Sequence, residues 1–445
     1  MDSIVRSNID KWVNEIHPSM IKWRRRFHQH PETGWTEYIT TYEIAKNLEP
    51  LGFRLFIGEE AILSEARMGV PNEEELITAD ERAGAYGICD EFLEKVKGGH
   101  TGVVAKIDSG KPGPHFAFRF DIDALPVFED EQASHFPYEK GFSSKERGKM
   151  HACAHDGHTS IGLAFAHFLS THLDKLRGSF TLLFQPAEEG SRGAKAMVEK
   201  GWLDHADWFI CGHIGIKDLT IGQLAATTTD FLATTKFDVS FSGTASHAGA
   251  KPEEGRNALL AAAACAQHLH AISRHSEGTT RLNVGTLHAG TGRNIIPDRA
   301  VLTGETRGET NVLNRYMYEE AERIVKASAS LYGVNSAISI VGEGISAECD
   351  EDFVSIIEKA ADQSKWLEKP MKQISAGASE DATHMIKRVQ ESGGKATYMI
   401  FGTPLAAGHH HPSFDYDEDV LLTGLSALIY TTLQILEEGQ GEKEA

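Results

Sequence analysis

Cysteine is scarce in this chain: Cys89, Cys153, Cys211, Cys265 and Cys349 are odd in number and scattered over 445 residues. They give no disulfide framework and fit a reducing compartment. No run approaches the roughly 18 apolar residues of a membrane helix. Residues 1–16 alternate charge and polarity without the apolar core of an export signal. The expectation is a cytoplasmic chain with no membrane partner. Positive charge is also short, with 44 Lys and Arg against 64 Asp and Glu for a net charge of −20. That excludes the basic face that general nucleic-acid binding requires. A small anionic substrate is not excluded, because a local Arg or His can hold one inside an acidic protein. Internal repeats and low-complexity tracts are missing as well.

What remains is ordinary globular material, 41% apolar and 24% charged. At this length two domains are the natural expectation. Trp12, Ile16, Met20, Trp23 and Phe27 recur at helical spacing, so an amphipathic helix, broken near Pro18, opens the fold. Arg24, Arg25 and Arg26 read as a helix surface with one or two side chains recruited inward. Residues 58–100 are rich in Gly and charge and read as a surface insertion with helical pieces. A strand at 115–120 leads into Asp121, Ile122 and Asp123. A helix starts near Gly157, and two apolar runs follow, ending at Gln185 and at His213. Continuous apolar runs are the mark of buried parallel strands, and their alternation with helices predicts a doubly wound α/β sheet. The character changes near Gly222. Strand 236–242, helix 257–273, strands 281–287 and 300–307, helix 312–330 and strand 337–341 predict a compact two-layer α+β unit. The first domain resumes with helix 353–364, strand 396–401 and helix 420–437. The domains expected are therefore 1–223 (with 58–100 inserted), 224–342 and 343–445.

One window holds more metal-capable side chains than any other. Between His151 and His158 lie three histidines, a cysteine and an aspartate: His151, Cys153, His155, Asp156 and His158. Thiolate and imidazole suit zinc, whereas the carboxylates elsewhere would also suit manganese or cobalt. Glu188 and Glu189 end one apolar run, His213 ends the next, and His409, His410 and His411 stand in a row further on. In open α/β sheets ligands bind beyond the carboxyl ends of the strands, which is where these groups fall. A core histidine or a solvated Glu pair is the commoner meaning of any one of them taken alone. Four such coincidences reverse that reading.

Taken together, the segments at 25–32, 121–126, 151–159, 185–190 and 246–248, each in its order, resemble the M20 metallopeptidase family, in its branch of N-acyl-amino-acid amidohydrolases. The resemblance covers nearly the whole chain. It implies a di-metal catalytic domain of α/β class carrying an inserted, ferredoxin-like lid and dimerisation domain. It also implies that Cys153, His155, Glu189, His213 and His410 hold two divalent ions, Mn2+ or Zn2+, with His409 and His411 open as alternatives to His410. Glu188 would be the general base, and His247 would stabilise the developing oxyanion in a dimer mate. Asn294 and Arg307 would grip the substrate carboxylate. The implied reaction removes an aromatic acyl group from glutamate or aspartate, with p-aminobenzoyl-glutamate first and indole-3-acetyl-aspartate second. The resemblance implies either a homodimer or a heteromer with a related second subunit. It also leaves open the competing role of a non-catalytic partner in such a heteromer.

His158, Asp121, Asp123 and Asp156 are expected to orient ligands rather than bind metal. Cys211, Cys265 and Cys349 read as small core residues. Relatives usually carry glycine where Ala154 stands, which predicts a strained, positive φ there. The bland alternative for Arg307 is a salt bridge on a lid strand.

Overall fold

The computed structural model describes residues 3–216 and 219–444, with side chains described for residues 8–216 and 219–439. Among the described residues, twelve strands form two sheets. The larger contains β1 (Arg54–Ile57), β2 (Val103–Asp108), β3 (His115–Asp121), β4 (Ser179–Gln185), β5 (Trp208–Ile214) and β6 (Leu224–Thr229). The smaller contains β7 (Ala233–Ser242), β8 (Thr280–Ala289), β9 (Arg299–Gly308) and β10 (Asn335–Gly344). Strands β11 (Met371–Ser375) and β12 (Lys395–Phe401) return to the larger sheet, whose order is β1-β2-β4-β3-β5-β12-β6-β11. Its centre, β4-β3-β5-β12, is parallel. The flanks β1 and β2 pair antiparallel to their neighbours, and β6 runs antiparallel to β12 but parallel to β11.

Both faces of this sheet are covered, which is why its central strands are mostly apolar. Helices Ser3–Gln29, His155–His172, Asp352–Ala361 and Val420–Glu444 share one buried cluster with residues such as Phe118, Phe120 and Phe184. Helices Ala194–Glu199 and Ala382–Glu391 cover the other face around Leu183, Phe209 and Tyr398. The doubly wound reading holds, with antiparallel additions at the edges.

Three expectations need correction. The first helix runs unbroken through Pro18. Val13, Met20 and Phe27 are buried on both sides of the proline, which outweighs the roughly 3 kcal/mol cost of an interior proline. A long apolar run does exist: Val420–Gly439 could cross a membrane by length and composition, with a mean hydropathy of 1.5. It is instead a core helix, 94% of that window lying buried inside the fold. Finally, β6 lies in the larger sheet and pairs with β11 and β12, so the four-stranded unit starts at Ala233 and not at 224.

That unit has sheet order β10-β7-β9-β8, all antiparallel. Helices Ala258–His270 and Asn311–Tyr332 pack on one of its faces around Phe237, Val239 and Leu302. Asn257 and Thr310 cap the two helices by accepting the amides of Leu260 and Leu313. Its last strand docks on the larger unit, where the Glu343 amide donates to the Ser191 carbonyl at 2.7 Å. A Cβ on Gly342 would stand 2.1 Å from the Gly190 carbonyl oxygen, so this approach needs glycine. Residues 58–100 pack helices Glu73–Tyr86 and Asp90–Val96 onto Tyr38 and Ile39, forming a small core of their own.

Candidate metal centre and active site

The central parallel strands all end on one side, and each end delivers part of a site. Asp121 closes β3, the Glu188–Glu189 turn follows β4, His213 lies near the end of β5, and the loop after β12 carries His409 and His410. The helix His155–His172 starts among them. Ala154, its N-cap, has φ 64° and ψ 13°, the positive φ foreseen for this position. Gly157 lets this helix pack closely, because a Cβ there would meet the Tyr416 hydroxyl at 2.4 Å.

Ligand-capable atoms of Cys153, His155 and Glu189 lie within 4.8 Å of one another, as do those of Cys153, His213 and His409. Each histidine in these groups has one ring nitrogen committed to a backbone carbonyl. His155 Nδ1 donates to Asp123 O at 2.9 Å, His213 Nδ1 to Ile214 O at 2.9 Å and His409 Nε2 to Ile214 O at 3.1 Å. This fixes the tautomers and leaves His155 Nε2, His213 Nε2 and His409 Nδ1 as lone-pair donors. His155 Nε2 is buried without a hydrogen-bond partner among the described residues, and His213 Nε2 stands 3.5 Å from Cys153 Sγ.

The electrostatics ask for cations. Burial alone would lower His155, but Asp121, Asp123 and Glu189 push it up to about 10. The Cys153 thiol is raised well above its usual range by burial and by the charges of Glu189 and Glu188, so its thiolate needs a metal beside it. The donor set of soft thiolate, imidazole and carboxylate fits divalent ions.

His158 is a supporting residue, as expected. Its Nε2 accepts the Ile214 amide at 2.9 Å, so Nδ1 carries the proton given to Asp121 at 2.5 Å. Asp123 holds the glutamate turn by accepting the Glu188 and Glu189 amides, each at 3.0 Å. The two glutamates diverge because they sit in this turn, not because they alternate along extended backbone. Asp156 is structural, tied to His28, Tyr416 and the Arg24 side chain. Arg24 is the residue of its basic run that is recruited inward. It is fully buried and also pairs with Asp415 and Glu418.

Glu188, Glu189, Cys153, His213, Lys236 and Arg307 all line one cavity of about 340 Å³ between the two units. Burial first, then Glu380, Glu189 and Asp381, push the Glu188 carboxyl well above the usual range, against the pull of Arg119. Its Oε2 is 3.8 Å from His155 Nε2. Spacing and motifs give no role to the residues beneath it. Arg119 is buried and binds Asp121 at 2.7 Å, Glu380 at 3.0 Å and Asp381 at 3.2 Å. The Tyr398 hydroxyl donates to Glu380 at 2.6 Å. The adjacent acids at 380–381 are the only local signal.

Other expected residues are placed differently. His410 is 55% exposed, with Nε2 3.4 Å from Glu189 Oε1, whereas His409 is the histidine grouped with Cys153 and His213. His411 is exposed and accepts the Ser413 amide. Arg307 reaches the cavity, but its Nε and Nη2 form a two-pronged pair with Glu305 at 2.9 and 3.1 Å. The salt bridge and the cavity location therefore coexist. His247 and Asn294 do not reach the cavity. They are exposed neighbours on the four-stranded unit, where Ala248 N donates to Asn294 O at 3.0 Å.

Carboxylates, imidazoles and a thiolate gathered at the carboxyl ends of a parallel sheet, with a half-buried glutamate lining the cavity, define a metal-dependent hydrolase. The chain belongs to Peptidase family M20/M25/M40, which it matches over residues 117–434, and it is an amidohydrolase of that metallopeptidase type. It is 45% identical to the indole-3-acetyl-aspartic acid hydrolase of Enterobacter agglomerans, over 96% of this chain and 98% of that one. It is 44% identical to one subunit of the p-aminobenzoyl-glutamate hydrolase of Escherichia coli K12, over 96% and 98% of the two chains. The crystal structure of the aminobenzoyl-glutamate utilization protein of Klebsiella pneumoniae superposes with a TM-score of 0.82 at 41% identity, covering 95% of this chain and 97% of that one. A dinuclear metal-binding M20 peptidase of Bacillus subtilis matches with a TM-score of 0.63 at 25% identity, over 95% and 99%.

Proposed function

We propose that the chain hydrolyses the amide bond of N-acyl acidic amino acids, p-aminobenzoyl-glutamate in first place and indole-3-acetyl-aspartate in second. The observation that carries this reading is the shared cavity, which is lined by Glu188, by the metal-capable Cys153, Glu189, His213 and His409, and by the cations Lys236 and Arg307. The reactions named for the two relatives at 44–45% identity support the substrate class.

Cys153, His155, Glu189 and His213 would hold two divalent ions, Mn2+ or Zn2+, with His409 or His410 completing the set. Bound there, the ions would lower the pKa of water and polarise the amide carbonyl. Glu188, kept in the protonatable range by its buried carboxylate neighbours, takes the proton of the attacking water on its carboxylate and returns it to the leaving nitrogen. Arg307 holds a carboxylate of the leaving amino acid through Nη1, which Glu305 does not engage and which otherwise donates only to Ser379 Oγ at 3.4 Å.

The four-stranded unit would act as a lid and dimerisation domain. Exposed Leu287, Ile295 and Val301 near His247 and Asn294 support a contact between protomers there, through which these two residues would complete a neighbouring site. The partner is a second copy or a related subunit, the latter supported by the Escherichia coli relative, which is itself one subunit of its hydrolase. Five free cysteines support a cytoplasmic location.

The test is release of p-aminobenzoate from p-aminobenzoyl-glutamate by the purified chain, after chelation and add-back of Mn2+ or Zn2+. Metal-dependent release is expected. If neither this amide nor indole-3-acetyl-aspartate is cleaved with either metal, and adding a related second subunit does not help, the proposal fails.

A further inference from the structure

The face of the four-stranded sheet turned toward the cavity carries a second cation besides Arg307. In the antiparallel pair β7–β9, Lys236 lies opposite Glu305 and Thr234 opposite Arg307. Side chains alternate along a strand, so Phe237, Val239 and Phe241 point into the helical layer while Lys236, Glu305 and Arg307 share the other face. Lys236 is half-buried and lines the cavity, yet no ion pair or hydrogen bond engages its ammonium among the described residues. Arg307 differs in that two of its nitrogens are already occupied by Glu305.

A half-buried ammonium without a direct ion-pair partner is an unstable arrangement on its own. Burial lowers its pKa, and the charges of Glu188 and Glu305 pull it back up. Glu305 is spoken for by Arg307, and Glu188 has its own proton-transfer task. The cavity thus presents one fully available cation and one partly available cation, side by side on adjacent strands. A ligand with a single carboxylate would satisfy only one of them.

We propose that Lys236 binds the side-chain carboxylate of the leaving amino acid, while Arg307 holds its α-carboxylate, so that Lys236 selects acidic over neutral N-acyl amino acids. This rests on the amidohydrolase reading above and assigns it a specificity residue. Arg307 alone would accept any N-acyl amino acid, because an α-carboxylate is common to all. Lys236 is the group that distinguishes glutamate from glutamine, which has the same shape without the charge.

The experiment compares p-aminobenzoyl-glutamate with p-aminobenzoyl-glutamine in the wild type, Lys236→Met and Lys236→Arg. Melting temperature and metal content are measured alongside. The wild type is expected to prefer the glutamate amide in kcat/KM by about tenfold to a hundredfold, the worth of one hydrogen-bonded charge pair. Lys236→Met should lose that factor on the glutamate amide, chiefly through KM, and stay within about threefold on the glutamine amide. Lys236→Arg should keep part of the preference. Equal use of both amides by the wild type overturns the inference and leaves the amidohydrolase reading standing. An equal loss on both amides in a folded, metal-loaded Lys236→Met also overturns it. Turnover by the wild type of neither amide nor indole-3-acetyl-aspartate, with a related second subunit added as well, removes the parent reading and this one together.

Discussion

Replacing Asp123 with alanine should loosen the metal centre without touching a single proposed ligand. The buried Asp123 carboxylate accepts the amides of Glu188 and Glu189 at 3.0 Å each. Hydrogen bonds to a charged group contribute about 1.5–3 kcal/mol apiece, so about 3–6 kcal/mol of turn organisation rests on this one side chain. Part of that returns when water occupies the space left by the carboxylate. The turn also keeps two other anchors, Ser191 N to Glu188 O at 2.7 Å and Arg192 Nε to Glu189 O at 2.8 Å. The fold should therefore survive, and the loss should appear as misplaced glutamate side chains. A supporting residue of this kind typically costs 10–100-fold in metal affinity, or about 1.4–2.8 kcal/mol, which fits inside the gross figure. His155 Nδ1 keeps its bond to the Asp123 backbone carbonyl but loses the carboxylate 3.3 Å away, so the effect combines the glutamate turn with a lesser change at His155. The assay is metal occupancy against buffered free Mn2+ or Zn2+, with kcat/KM measured at saturating metal. Asp123→Asn keeps one acceptor oxygen and should recover about half of the lost free energy. A folded Asp123→Ala protein with metal affinity and kcat/KM both within threefold of wild type would refute the reasoning.

Glu188→Gln should keep its metal content and melting temperature and lose turnover by about 10²–10⁴-fold; turnover above a tenth of wild type removes Glu188 as the base. His409→Ala and His410→Ala, compared by elemental analysis, should differ. The variant lacking a ligand loses about half of the bound metal, and equal full occupancy in both would deny either histidine that role. His28 gives a pH prediction. Its two ring nitrogens face Asp156 at 2.8 Å and Glu129 at 2.9 Å. Burial alone would lower its pKa, but these carboxylates raise it to about 9. The folded ring holds its proton to about pH 9, while an unfolded one releases it near pH 6.5. This contribution to stability is therefore complete below pH 6.5 and lost as the pH rises through 9. Thermal melts should show that decline, and His28→Gln should flatten it; a decline of equal size in the variant counts against His28.

Long elements with one dominant pattern were legible in the sequence. Strands β3, β4, β5 and β12 announce themselves as predominantly apolar runs because both faces of the sheet are covered. β6 did not, because after Leu224 its residues are only alanine and threonine, and only pairing with β11 and β12 marks it as sheet. Pro18 misleads because its local penalty says nothing of the burial around it. In the site, the groups that lie close together in the chain, from Cys153 to His158 and at 188–189, could be found by spacing. Arg119, Lys236 and Glu380 could not, since each acquires its meaning from partners far away in the chain. His409 and His410 are adjacent and chemically identical, so only backbone placement separates them.

The docking of Gly342 and Glu343 on Gly190 and Ser191 joins the end of β10 to the turn that carries both glutamates. A body fastened at one end moves least at its attachment. If the four-stranded unit swings, the pivot lies beside Glu188 and Glu189, and the loops holding His247 and Asn294, far along the unit, travel the longest arc. The cavity could then widen for a substrate while its two carboxylates scarcely shift, and amide exchange should stay slow at Glu343 even where the far loops exchange quickly.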